Sequence, residues 1–260
     1  MRYGGHTSCL AVARNGGPPR LLLDAGTGIR SASALLEGRA FRGTILLGHL
    51  HWDHTQGLPF FSAGGLDETV ADLLLPAQAE PVALLERMIS PPYFPIGPRQ
   101  LGGRWRFEGI EEGEHSIEGF SVLAREIPHK GGRTFGYRIT DGDSTIAYLS
   151  DHRPTAAGPG PAGLGEYHEP ALTLCDGVDL LIHDSQHTAA EFPRLEFLGH
   201  SAAEYAVALG GEAGAQRVLL WHHDPSRTDD QIDAIVASFS DAAVEVQGAR
   251  EGTVIELPAK

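Results

Sequence analysis

Short apolar runs bounded by Gly, Pro and Asp recur along this chain, and runs of that length read as strands. Strands are expected at residues 8–14 (SCLAVAR), 20–24 (RLLLD), 44–49 (TILLGH), 120–127, 134–140, 145–150, 179–184, 217–222, 243–248 and 253–257. Helical spacing occupies residues 81–89, 201–211 and 228–239. Ser201 has the chemistry of an N-cap, and the Gly210-Gly211 pair is expected to stop that helix. Thr228, followed by Asp229, Asp230 and Gln231, has the form of a capping box. Strands alternating with helices suggest sheets covered by helices, an α/β class. Residues 90–115, rich in Pro and Gly, are expected to form a long loop or irregular insertion of the kind that covers a site. Residues 152–168 read as a second, more flexible connector. Neither is flanked by enough sequence for a separate unit, so residues 1–260 read as one domain.

Charge narrows the partners. The formal net charge is −14. Phosphate backbones recruit Lys and Arg clusters, and no basic run is present, so nucleic acid is not the expected partner. No stretch approaches the roughly 20 apolar residues of a membrane span. The opening MRYGGHTSCL lacks the apolar core of a secretory signal, and a cytoplasmic location is expected. Cys9 and Cys175 form no zinc-finger or CxxC pattern and read as free thiols of a reducing compartment. Thirteen histidines are many for this length and hint at metal.

The stretch LLGHLHWDHTQGLPFF concentrates that hint: His49, His51, Asp53 and His54 follow an apolar strand within six positions. Alternate residues of an extended segment share a side, so His49 and His51 can converge on one ion. Asp53 and His54 come as the chain turns and can face a second point. Imidazole nitrogen and carboxylate oxygen are ligands that zinc, iron and manganese accept. Further candidates sit where other apolar strands stop: His129, Asp151, and the pair His222 and His223.

GHLHWDH resembles the His-x-His-x-Asp-His motif of metallo-β-lactamase-fold hydrolases. The resemblance spans nearly the whole chain, through YGGHTSC, LLLDAGTGIR, PPYFP, YLSDH, IHDSQHT, GHSAAEYA and WHHDPSRTDD. The set looks like the phosphodiesterase-like branch related to ribonuclease Z. What the resemblance implies is a four-layer αββα sandwich carrying two divalent metal ions, zinc first, with manganese or iron as alternatives. Carried over by position, His49, His51 and His129 would hold the first ion, and Asp53, His54 and His222 the second. Asp151 would bridge both. His222 is preferred to His223 because His-His-Asp-Pro falls where the family has His-Phe-Ser-Pro. Asp24 would support the metal-binding loop. Asp184 and His200 stand where ribonuclease Z has a proton-donating pair, with Asp in place of its Glu. Asp53, Asp184 and His200 are thus the expected catalytic carboxylates and acid. His152, His168, His183 and His187 read as surface or packing residues.

The function this implies is hydrolysis of a small or cyclic phosphodiester by a hydroxide held between two metals. Lys130, Arg153 and Arg227 follow ligand candidates and are candidates to meet a phosphate oxygen. The alternatives on the same scaffold are a thioester or lactam hydrolase, an iron-dependent sulfur dioxygenase, a ribonuclease Z-like endonuclease, or a metal-stabilised binding module. The family usually begins with one more strand than is found here. An open sheet edge would then allow a homodimer.

Overall fold

Continuous apolar triplets and quartets are what parallel strands buried on both faces require, and the leucine runs of this chain take that place. A computed structural model describes residues 2–160 and 162–257. They divide into two units.

The first unit comprises residues 6–111 and 117–119. Its sheet has the order β1 (Leu10–Val12), β2 (Leu21–Leu23), β3 (Arg42–Leu46), β4 (Val70–Pro76) and β5 (Arg104–Ile110). β1 and β2 are antiparallel; the remaining pairs are parallel. Leu22, Ile45 and Leu73 are fully buried together with Ile29 of α1 (Ile29–Ala32) and Leu85 of α3 (Pro81–Glu86). Each such side chain contributes roughly 1.5–3 kcal/mol by leaving water. Parallel β2 and β3 pair Leu23 with Leu46, so both chains leave the sheet at the same edge. Asp24 follows the first, and the histidine-rich segment with the short helix α2 (Trp52–Thr55) follows the second.

The second unit comprises residues 2–5, 112–116 and those from 120 onward. Its sheet runs β12 (Glu245–Gly248), β11 (Arg217–Trp221), β10 (Leu180–Asp184), β9 (Thr145–Leu149), β8 (Phe135–Thr140), β7 (Phe120–Glu126), β6 (Gly113–Ile117). β9 to β12 are parallel. β8 is antiparallel to both β7 and β9. The carboxyl ends of β7, β9, β10 and β11 therefore share one edge, where ligands gather in α/β sheets. The helix α4 (Glu169–Cys175) and α6 (Ala203–Glu212) bury Leu174, Tyr205 and Leu209 with Leu149, Leu181 and Val218. The short α5 (Phe192–Leu195) and α7 (Asp229–Ala237) complete the helices. Thr228 caps α7 in a reciprocal capping box with Gln231.

The pattern misleads in four places. Residues 90–115 are not wholly a loop: β5 and the start of β6 lie there. β5 alternates exposed charge with half-buried Trp105 and Phe107, the polar pattern of a sheet edge. Residues 253–257 form no strand, and Val254 is exposed. Ser201 is not the cap of α6: Ala202 holds that position, while Ser201 is buried and its N–H points to Asp184. Gly210-Gly211 does not stop α6, which runs on to Glu212 and ends before Gly214, at positive φ. Gly210 serves packing instead, since a Cβ there would meet Val218 Cγ2 at 2.4 Å.

Candidate metal centre

In the first unit, Asp24 organises the histidine segment. It is fully buried and left-handed at φ 62°, a conformation that Asp tolerates better than most residues. Its Oδ1 accepts the Gly48 N–H at 2.8 Å. Its Oδ2 lies 2.6 Å from His54 Nδ1 and also accepts the Ser8 hydroxyl. A carboxylate only accepts, so Nδ1 carries the proton and the neutral ring keeps its lone pair on Nε2. That fixed tautomer is the arrangement metal-binding imidazoles adopt. His54 Nε2 stands 3.2 Å from Asp53 Oδ2. The rings of His49 and His51 are 4.4 Å apart, and those of His49 and His54 4.2 Å. His51 is extended at ψ 156° and α2 starts at the next residue, so the change from alternation to a helical turn falls within the motif. Gly26 lets the loop after Asp24 touch that turn: a Cβ on it would sit 2.1 Å from the Asp53 carbonyl oxygen.

In the second unit, Asp151 is 1% exposed at the end of β9. Its Oδ2 is 3.5 Å from His129 Nε2, and its Oδ1 is 3.6 Å from His222 Nε2. These spacings exceed hydrogen bonds. Donors about 2.1 Å from a tetrahedral ion stand roughly 3.4 Å from each other, so the spacings suit neighbours around a shared cation, with one oxygen of Asp151 for each. His129 donates Nδ1–H to the Gly199 carbonyl at 2.8 Å, leaving Nε2 as its lone-pair nitrogen. Burial lowers its pKa, which favours the neutral ligand form. His222 takes a left-handed φ of 56° where β11 ends. Its neighbour His223 turns elsewhere, donating to the Ala249 carbonyl at 3.3 Å and meeting Tyr3 edge-on. Donor type, fixed tautomers and these spacings together fit divalent ions.

Asp184 and His200 form a pair, Oδ2 to Nδ1 at 3.0 Å. Asp184 also accepts the backbone N–H groups of His152, Gln186 and Ser201. Burial pushes its carboxyl up, but the His200 charge and hydrogen bond outweigh that and the net direction is down. His200 stacks on His222 with ring centroids 4.9 Å apart.

Of the surface or packing roles expected for the other histidines, His152, His183 and His187 take the second, being fully buried. His183 Nδ1–H donates to the Asp184 carbonyl at 2.7 Å, so its Nε2 accepts from His152 Nδ1–H at 3.0 Å. His152 Nε2 then accepts from His168 at 2.7 Å. Burial lowers the pKa of all three rings, keeping them neutral. The chain of bonds ends on a carbonyl that takes no proton, so it fastens the ends of β9 and β10 rather than conducting. Sequence pattern gives no sign of it beyond the histidine count. Arg153 and Arg227 are held by Glu196 at 2.7 Å and Glu191 at 2.5 Å. Lys130 lies over the Phe197 ring. These three cations therefore have local partners.

The sequence profile described as the beta-lactamase superfamily domain matches residues 19–223. A ribonuclease Z of Salinibacter ruber is 26% identical, covering 84% of this chain and 79% of its own. The metallo-beta-lactamase fold protein YhfI from Bacillus subtilis superposes with a TM-score of 0.66 at 19% identity, covering 97% of this chain and 95% of that one. A diphosphatase from the PhnP family superposes with a TM-score of 0.61 at 16% identity, covering 92% and 80%.

Proposed function

This chain belongs to the beta-lactamase superfamily and has the metallo-β-lactamase fold of a hydrolase related to ribonuclease Z, and from that premise we propose that it hydrolyses a small or cyclic phosphodiester. His49, His51 and His129 would hold one divalent ion, and Asp53, His54 and His222 a second, with Asp151 shared. The observation that supports this best is the division of Asp151, one oxygen toward His129 and the other toward His222. Bound ions supply neutralisation of phosphoryl charge and a lowered pKa for attacking water.

The remaining work falls to the protein's own groups. His200 is positioned to donate a proton from Nε2 to the leaving oxygen, because Asp184 takes its Nδ1–H and stabilises the imidazolium. Asp184 cannot swing away, being held by three backbone N–H groups. Asp24 and Gly199 orient His54 and His129 without touching an ion.

A small substrate is favoured by the −14 charge and by the glutamate partners of Arg153 and Arg227, which leave little to grip a long polyanion. The name of the PhnP-family neighbour, a diphosphatase, agrees with hydrolysis at phosphorus. Cleavage of RNA is the second reading, favoured by the ribonuclease name of the sequence relative. A panel containing an aryl phosphodiester, cyclic nucleotides and a tRNA precursor, run on zinc- and manganese-loaded protein, tests both. Turnover of the small diesters is expected. Cleavage of a thioester or lactam with no phosphodiester turned over would overturn the proposal.

A further inference from the structure

Trp52 interrupts the donor motif, standing between His51 and Asp53, yet its side chain is 74% exposed. It lines a shallow cavity of about 170 Å³ with Phe60, Met88, Tyr93 and Phe94, and with Gln56 among the polar groups. Tyr93 is 81% exposed and Phe60 59%. Phe60 and Phe94 meet edge to face with centroids 5.7 Å apart, which braces one wall. All these residues belong to the first unit. Folding gains little from leaving so much aromatic surface in water beside a donor set, and contiguous exposed apolar surface marks a binding site.

We infer that this cavity is a subsite for the nucleobase of a nucleoside phosphodiester, Trp52 and Tyr93 offering ring faces to the base. The inference rests on the phosphodiesterase reading above. Two features select this occupant. The lining carries no ionisable group except the Tyr93 phenol, so it suits an uncharged part of the substrate, while the anionic phosphate goes to the histidine and aspartate donors one residue away. Four aromatic rings, a thioether and an amide stand in the wall beside Thr55, Pro59 and Ile89. The rings can stack on a heterocycle, and the Gln56 amide can both donate to and accept from its edge. A saturated chain would use the area but neither the ring faces nor the amide.

The experiment compares two substrates of metal-loaded protein: the 5′-methyl phosphodiester of adenosine and the same ester of ribose without a base. The subsite predicts a higher kcat/KM for the adenosine ester, carried mainly by KM. Trp52→Ala and Tyr93→Ala should each reduce that preference roughly 5- to 100-fold, and Trp52→Phe should restore most of it, with metal content measured in each variant. Equilibrium binding of adenosine itself, followed by ligand-observed NMR, gives a readout independent of turnover and should weaken in the same variants. Equal kcat/KM for the two esters, or a preference that survives both alanine variants, would overturn the subsite. If neither ester is turned over, the phosphodiesterase reading fails, and adenosine binding sensitive to Trp52 and Tyr93 still decides the subsite.

Discussion

The carboxylate of Asp24 lies 2.6 Å from Nδ1 of His54, and both side chains are fully buried. A strand-end aspartate of the LLLDAG stretch thereby sets the tautomer of a residue thirty positions on. Asp24→Ala should weaken binding of one ion about 10- to 100-fold, measured by competition with a chromogenic chelator. Unchanged metal affinity in a folded variant would mean that Asp24 is only a turn residue.

Asp151 meets two imidazoles through separate oxygens. Asp151→Ala is expected to lower the bound metal from two equivalents to one or none and to abolish turnover. Chelation of the wild-type protein should do the same reversibly. Because ligands that bind only the folded state stabilise it, the chelated protein should melt at a lower temperature. Elemental analysis and calorimetry check both statements.

His200 and Asp184 should separate by variant. His200→Ala is expected to reduce kcat about 10²- to 10⁴-fold while metal content persists. Asp184→Asn sets an amide NH₂ against the N–H groups of His152 and Ser201, which share Oδ2, or against that of Gln186 at Oδ1, and should in addition cost roughly 1–3 kcal/mol of stability. Denaturant unfolding beside steady-state kinetics distinguishes the two losses. A His200→Ala enzyme at full rate would remove it from the chemistry.

Acid should weaken the fold in two windows. Burial lowers the His223 pKa to about 4, so the folded protein keeps the ring neutral while the unfolded chain takes a proton near 6.5. Stability therefore falls as pH drops from about 6.5 to 4, by at most ~1.4 kcal/mol per unit. Glu191 behaves as the depressed acid: the Arg227 hydrogen bond holds its carboxyl down to about 2. Its contribution is present above about 4.5 and is lost as pH falls toward 2; at partial exposure it is worth about 1 kcal/mol. Urea midpoints from pH 7 to 3 test this, and His223→Phe should flatten the upper window.

Several features were legible from residue order because they are local. Leu21–Leu23 announces a buried strand by unbroken apolar character, and β3 by the apolar run Ile45, Leu46 and Leu47 at its end. Thr228 and Gln231 announce a helix start three residues apart. The motif carries its own change from extended chain to helix between His51 and Trp52. β5 and β6 resemble loops in the sequence because one face of each is exposed and the other only half-buried, so neither carries an unbroken apolar run.

By itself, then, the order of residues determined which segments become strands and which donors stand at their ends, since periodicity and side-chain chemistry act over a few neighbouring positions. Only the folded chain decided which nitrogen of His54 or His129 carries the proton, where His223 turns, and that Arg153 and Arg227 are claimed by glutamates. Those outcomes depend on partners distant in the chain, such as Gly199 for His129, seventy residues away, and on burial that removes competing water. No local pattern encodes a contact between segments that the fold alone brings together.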